Sequence, residues 1–371
     1  VIRRIQTWSD WQIALGITAV LRLFYSALAA ALSFHLHLDP ALIRPNAFTD
    51  HLTSPGTWNY ALLGVWERFD ALWYLHISQH GYDVPTGVIF YPFYPIVIRP
   101  VMFFLPPILA AMLVSTIATF FIFGGLMRLA GPDLSTDGKL RIVLLVCAWP
   151  TSFILFGGYA DALTLVLVVW AVVLAREERW WAAAICGAMA GAARPSGVLV
   201  AIPLFLLAWK SRRLRSAVVL ISPAGWFGYW LWLRWTGHPS VVETYRTYQG
   251  MTLVTPWKGL WETLLLIHHT GDVLLAFKLT CVLGFALLSL RHEVRLEDRL
   301  FALAVLAQML MYTGRPLLGG MRYLLLVYPA FLAGGTLAGR FNWKIYTLCL
   351  SLLFVMNLGF MWNFLNWLLV L

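Results

Sequence analysis

Apolar runs separated by short polar connections make up most of this chain. The runs at 15–32, 108–126 and 345–365 approach or exceed the roughly 18 apolar residues that a helix needs to cross a bilayer. Runs of that length predict an all-α polytopic membrane protein, because a transmembrane barrel shows only short alternating strands. Spans are expected at about 11–36, 142–158, 162–175, from beyond Arg215 to about 235, and at 272–290, 300–312, 322–338 and 345–364. Residues 91–127 read as one net crossing whose first part, ending at Pro106-Pro107, is interfacial or half-inserted. Between 180 and 209 the apolar run is cut at Ala193-Arg194-Pro195-Ser196-Gly197. Proline and glycine there predict two short arms meeting at an outward turn. The sum is a bundle of about 11 transmembrane helices. It reads as one integral-membrane unit, residues 1–371, since every connection is too short to fold alone.

Two polar loops interrupt this pattern. Arg3 and Arg4 precede the first span, which puts the N-terminus in the cytoplasm and residues 38–90 on the outer face. The first span is too long for a signal peptide and lacks a small-residue cleavage site, so it reads as a retained anchor. The loop at 38–90 carries Pro40, Pro45, Pro55 and Pro85 with Asp50, Glu67, Asp70 and Asp83. Its length marks it as functional, and its middle, 60–78, predicts one or two helices lying along the interface. Residues 236–261 form the second outer loop.

Composition agrees. Hydrophobic residues are 60% of the 371 and charged residues 12%, with mean hydropathy +0.75. A soluble domain carries about 25% charged residues. The net charge of +10 suggests nucleic acid at first sight. The basic residues cluster instead between apolar runs, at 3–4, 210–215, 291–299 and 340–344, as the positive-inside rule requires. No nucleic-acid function follows. Cys147, Cys186, Cys281 and Cys349 all lie in apolar segments without metal-ligand spacing and read as small buried hydrophobes.

Chemistry-bearing residues concentrate in a few places. Asp70 lies in Trp66-Glu67-Arg68-Phe69-Asp70-Ala71-Leu72-Trp73-Tyr74, with Trp73 and Tyr74 three and four positions on and Ile77 extending the same face. A carboxylate partly withdrawn from water beside aromatic rings suits deprotonation of an acceptor hydroxyl near the membrane plane. The competing reading is a loop aspartate that is solvated or paired with Arg68. Arg194, Arg315 and Arg322, the last followed by Tyr323, are each flanked by helix breakers on the expected outer side. Arginine there suits a lipid-borne phosphate, although snorkelling or pairing with a carboxylate explains it too. Asp161 opens a span, as a helix-start residue or a substrate contact. Glu243, Tyr245, Arg246 and Tyr248 could contact substrate or solvate the loop, and solvation is the favoured reading. His76 and His80, four apart, could hold a divalent metal, but a solvated interfacial face explains them equally well. The 19 tryptophans suit interfacial belts or a groove for an isoprenoid tail.

The Asp70 stretch, continuing to Gly81-Tyr82, then Phe90-Tyr91-Pro92-Phe93-Tyr94-Pro95 and Arg99, resembles the PIG-V-like mannosyltransferases, members of the GT-C class of integral-membrane glycosyltransferases. Further matches follow in order: Trp149-Pro150-Thr151-Ser152-Phe153 with Tyr159-Ala160-Asp161, and Ala193-Arg194-Pro195-Ser196-Gly197-Val198. Then come Gly237-His238-Pro239 with Pro256-Trp257-Lys258-Gly259-Leu260, and Met321-Arg322-Tyr323-Leu324. The set covers residues 60–335. The resemblance implies a GT-C bundle and an inverting transfer of a sugar, most often mannose, from a polyprenyl- or dolichyl-phosphate carrier on the exoplasmic or lumenal side. In eukaryotic members the acceptor is a glycosylphosphatidylinositol precursor. Asp70 matches the family's general base. Phe69 stands where the family usually has tryptophan, and Asp161 where a Tyr-x-Glu acid is common, which loosens any claim on the acceptor.

The expected mechanism is a direct displacement. Asp70 takes the acceptor's proton. Arg194, Arg315 and Arg322 stabilise the leaving phosphate without a cofactor. Arg68, Trp73, Tyr74, Asp161 and Tyr323 join the arginines as expected substrate contacts. Expected partners are the polyprenyl-phosphate sugar, a lipid or glycolipid acceptor, membrane lipids and a small membrane subunit. Compact loops suggest a bacterial plasma membrane, or the endoplasmic reticulum in a eukaryote. The rival readings are a lipid or glycolipid transporter and a non-catalytic partner subunit.

Overall fold

The structure is a computed structural model that describes residues 9–44, 46, 48–49 and 52–368. The expectations placed on Arg3, Arg4, Pro45 and Asp50 lie outside the described residues. Helices run in the order α1 Asp10–Ser33, α2 Pro40–Ile43, α3 Trp58–Leu62, α4 Asp70–His80, α5 Phe93–Val101 and α6 Pro107–Leu129. They continue with α7 Thr136–Ala148, α8 Ala160–Arg176, α9 Trp180–Ala193, α10 Ala201–Ser211, α11 Ala224–Trp235 and α12 Val241–Gln249. The last six are α13 Pro256–Thr270, α14 Val273–Ser289, α15 Leu296–Met309, α16 Gly320–Tyr323, α17 Tyr328–Ala338 and α18 Trp343–Leu365. Two short strands, β1 Thr252–Leu253 and β2 Tyr312–Thr313, pair antiparallel. The hydropathy pattern did not anticipate this ribbon.

The expected count of about 11 crossings needs correction. Among the described residues, four helical stretches are long and apolar enough to cross a membrane: α1, α6, Leu214–Trp235 and α18. A fifth is added if α17 and the segment Gly320–Leu326, bent by 78° at their junction, count as one span. The reason is local. A helix of 14 residues such as α9 is about 21 Å long, against a hydrocarbon layer of about 30 Å. The run at 142–158 ends as a helix at Ala148, because Trp149-Pro150 turns it into a 3-10 segment at Ser152–Phe156. The expected break at 193–197 is present as the 3-10 turn Pro195–Val200 between α9 and α10.

The chain packs as two compact units. The first comprises Val1–Asp83, Pro92–Val166 and Ala338–Leu371; the second comprises Val84–Tyr91 and Leu167–Leu337. In the first, Tyr25 of α1 donates to Asn357 of α18 (3.1 Å), whose amide donates to the Trp149 carbonyl (2.8 Å). Buried polar atoms in an apolar bundle hold helices together only when satisfied in this way. The outward faces of α1 and α18 are apolar, with Leu23, Leu348 and Val355 about two-thirds exposed, as lipid-facing helices require. Cys349 shares the exposed α18 face, so only Cys147 of the four cysteines is fully buried.

In the second unit, α9 and α10 form a hairpin that turns at Gly197. A β-carbon there would lie 2.0 Å from the Ala190 carbonyl oxygen, so only glycine allows the return. Three connections are tied at the opposite end of this hairpin. Arg176 pairs with Asp298, Lys210 with Glu297 (2.6 Å), and Arg213 with Glu178. Tyr328 donates to Asp298 (2.6 Å).

Candidate active site

The corner that carries Asp70 is built from backbone upward. A 3-10 turn at Gly64–Trp66 leads into Phe69, whose backbone (φ 49°, ψ −118°) lies in a region L-residues rarely adopt. Asp70 is then the first residue of α4, where the helix dipole favours a carboxylate. The strain, of order 1–3 kcal/mol, persists because the surroundings over-determine it. The Phe69 ring packs 5.4 Å from Trp367 and 5.8 Å from Phe364. Glu67 accepts the Thr53 N–H (3.0 Å) and hydroxyl (3.3 Å), pinning the loop strand before the turn.

Arg68 is the clamp beneath this corner. Expected as a substrate contact, it is instead 1% exposed. Its guanidinium donates to the carbonyls of Gly64 (3.2 Å), Glu67 (3.0 Å) and Leu365 (3.2 Å) and to the Tyr60 hydroxyl (2.7 Å). It also stacks over the Trp367 ring at 4.6 Å. Burial pulls the guanidinium below its usual value, and the adjacent Tyr60 and Glu67 oppose that shift. From the other side, Tyr159 donates to the Arg68 carbonyl (3.0 Å).

The face of α4 also differs from the expected one. Trp73 and His76 are half-buried like Asp70, whereas Tyr74 and Ile77 are buried. The partly open stripe is therefore 70, 73 and 76, at i, i+3 and i+6. Tyr74 turns inward and packs edge-on against Tyr94 at 5.0 Å. Phe48 closes over the stripe, 4.8 Å from Trp73 and stacked 3.8 Å from His76. His76 hydrogen-bonds Asp83 (2.6 Å) and stacks on His80 at 4.7 Å. Asp161, also expected at the substrate, is buried in the first turn of α8. It lies close enough to Tyr94 to help hold that phenol neutral, after burial, the main cause. Tyr94 donates to the Ala111 carbonyl (3.0 Å).

The second unit holds the arginines. Arg194 and Arg322 come together on one ring: their guanidinium carbons lie 4.6 and 5.4 Å from the Tyr323 centroid. Both are nearly buried. Arg194 sits just past the C-terminus of α9 in extended backbone, and Arg322 in the single-turn α16. Arg315 is not part of this cluster; it is exposed on the preceding turn. The β1–β2 ribbon brings Tyr245 and Tyr312 to 5.5 Å from each other beside the cluster. Gly314 makes that possible, with φ +84° and a would-be β-carbon 2.1 Å from the Gly250 carbonyl oxygen. Desolvation pushes the Tyr312 phenol up to about 12, with Tyr323 adding to it, and Tyr245 well above its usual value. The two phenols thus stay neutral beside the guanidinium groups.

Two residues, Tyr312 and Arg22, escaped the sequence reading, and a third, Tyr245, is weighed there and set aside. Solvation is favoured over substrate contact for Tyr245, and Tyr312 reads as the end of a span, because the pairing that brings Tyr312 to α12 is non-local. Arg22, within the apolar run of α1, donates to the Phe156 carbonyl (2.6 Å) and lies 5.3 Å from the Trp66 ring. A lone arginine inside a spanning run was the available signal.

No family profile matches the chain. It is 29% identical to GPI alpha-1,6-mannosyltransferase 2 of Rattus norvegicus over 198 residues, 50% of this chain and 38% of that protein. The Homo sapiens protein of the same name is 26% identical over 220 residues, 55% of this chain and 43% of that one. The chain therefore spans about two-fifths of the length of these curated relatives. Among solved structures, that of ArnT from Cupriavidus metallidurans in the apo state superimposes with a TM-score of 0.53 at 13% identity, covering 95% of this chain and 76% of that one. The chain is thus an all-α, multi-spanning membrane protein that shares the fold of ArnT and is similar over about half its length to the GPI alpha-1,6-mannosyltransferase 2 proteins.

Proposed function

We propose that this chain is a glycosyltransferase that moves a sugar, mannose foremost, from a polyprenyl-phosphate carrier to a hydroxyl of a lipid-linked or membrane-proximal acceptor. The observation that carries the proposal is the convergence of Arg194 and Arg322 on Tyr323 among neutral phenols. Two guanidiniums with hydroxyl donors beside them suit a phosphate dianion. The curated relatives, named as mannosyltransferases, support the choice of sugar.

The reaction would be an inverting displacement. Asp70 accepts the proton of the acceptor hydroxyl, the oxygen attacks the anomeric carbon, and the sugar–phosphate bond breaks. The lipid phosphate leaves with the bonding electron pair, its charge balanced by Arg194 and Arg322. Trp73, on the open stripe with Asp70, would hold the acceptor sugar or headgroup. Arg68, Tyr74 and Asp161 brace the fold beneath the corner. The active site is assigned to the exoplasmic or lumenal face of the membrane.

The test is transfer of radiolabelled mannose from polyprenyl-phosphate mannose to extracted native lipids, by wild type and by Asp70→Asn with an unchanged melting curve. A new labelled lipid from wild type, reduced about 10²- to 10⁴-fold in the variant, is the expected result. Equal transfer by both removes Asp70 as the base. Carrier lipid moved unchanged across a vesicle, without transfer, makes the chain a transporter.

A further inference from the structure

The tied end of the second unit carries a groove apart from the arginine–phenol cluster. The first turn of α9 and the 3-10 segment Leu214–Ile221 enclose about 700 Å³, walled by Trp181, Leu214, Val218 and Ile221 and rimmed by Arg179 and Arg215. Its apolar wall is open: Leu214 is 91% and Trp181 66% exposed. In water such a wall is a liability; at a bilayer interface it is where indole rings and aliphatic side chains settle.

The charge on the rim is one-sided. Glu178 is the acidic residue lining the groove, and Arg213 is paired with it, which leaves Arg179 and Arg215 as the exposed charges facing the opening. Lys210, Arg176 and Arg213 lie at the same end, since their ion pairs tie the three connections there. A basic end of this kind belongs to the cytoplasmic leaflet. Arg194 sits at the far end of α9, 15 residues along the chain from Arg179, so the groove and the arginine–phenol cluster are separate sites.

We propose that this groove binds an anionic phospholipid of the cytoplasmic leaflet. Arg179 and Arg215 take the phosphate, and the first chain methylenes lie against Leu214, Val218 and Ile221. Trp181 stands at glycerol depth. A zwitterionic lipid brings its own cation to a rim that already carries two, so the groove discriminates by headgroup charge.

Native mass spectrometry of the full chain, released from detergent holding equimolar dioleoyl phosphatidylglycerol and dioleoyl phosphatidylcholine, reads this directly. Wild type should retain phosphatidylglycerol over phosphatidylcholine, and Arg179→Gln with Arg215→Gln should weaken that retention about tenfold. Val218→Trp fills the groove without altering charge and should displace the lipid as well, which decides the matter if the double variant fails to fold. Arg212→Gln, at the same end but not in the groove wall, should change nothing. Undiminished retention by the groove variants, or an equal loss in Arg212→Gln, overturns the site in favour of a diffuse charge effect.

Discussion

Arginines are buried in both compact units, and they are used in opposite ways. In the first, Arg68 spends its donors on three backbone carbonyls and a phenol, and burial pulls its guanidinium below the usual value. In the second, Arg194 and Arg322 lie over the face of one tyrosine, with neutral phenols about them. A guanidinium with its donors turned to backbone fixes geometry, whereas a pair gathered on one aromatic face concentrates positive charge in one place. In the proposed reaction Asp70 is the base and Arg194 with Arg322 the positive charge.

The contrast breaks most visibly through charge. Arg322→Gln should lower sugar transfer about 10²- to 10³-fold, as loss of a preorganised donor does, with an unchanged melting curve. An equal loss in stability instead would make it a second clamp like Arg68. Arg68→Met should behave the other way. Stranding the carbonyls of Gly64, Glu67 and Leu365 should cost about 3 kcal/mol by chemical denaturation in detergent, and transfer should fall only as the folded fraction falls. Smaller still, Phe69→Gly should be less destabilising than Phe69→Ala by about 1 kcal/mol, reversing the usual order. Both lose the ring, but only glycine relieves the positive φ.

The smallest effect is on pH. The hydrogen bond from His76 holds the half-exposed Asp83 carboxylate below its ordinary range. A depressed carboxylate contributes stability above its ordinary pKa and loses it as pH falls through the lowered value. Hydrogen exchange at the end of α4 should therefore speed up on acidification below about pH 4, by no more than about 0.5 kcal/mol given solvent screening. Asp83→Asn should abolish that dependence.

Much of the fold was legible because hydropathy is local. The spans α1, α6 and α18, and the break at Arg194-Pro195, follow from runs and breakers that act on their own neighbours. The crossing count was not legible. An apolar run reads alike whether it is one helix or is bent at Trp149-Pro150 or at Val327, and bending depends on what packs against it. Asp70 stood out as a carboxylate among aromatics, but its face was misjudged: spacing offers Tyr74 and Trp73 equally, and only Tyr94 decides that Tyr74 turns inward. Arg68 and Arg322 look alike in sequence; long-range partners, Leu365 for one and the Tyr323 ring shared with Arg194 for the other, separate them.

The most direct test is to separate proton transfer from phosphate binding. Affinity for a fluorescent short-chain polyprenyl phosphate would be measured with Asp70→Asn and with Arg194→Gln/Arg322→Gln, each shown to be folded. The expected result is binding within about twofold of wild type for the aspartate variant and at least about tenfold weaker for the arginine pair. Equal weakening in both, or wild-type affinity without the two arginines, would contradict the division of labour between Asp70 and the arginine pair.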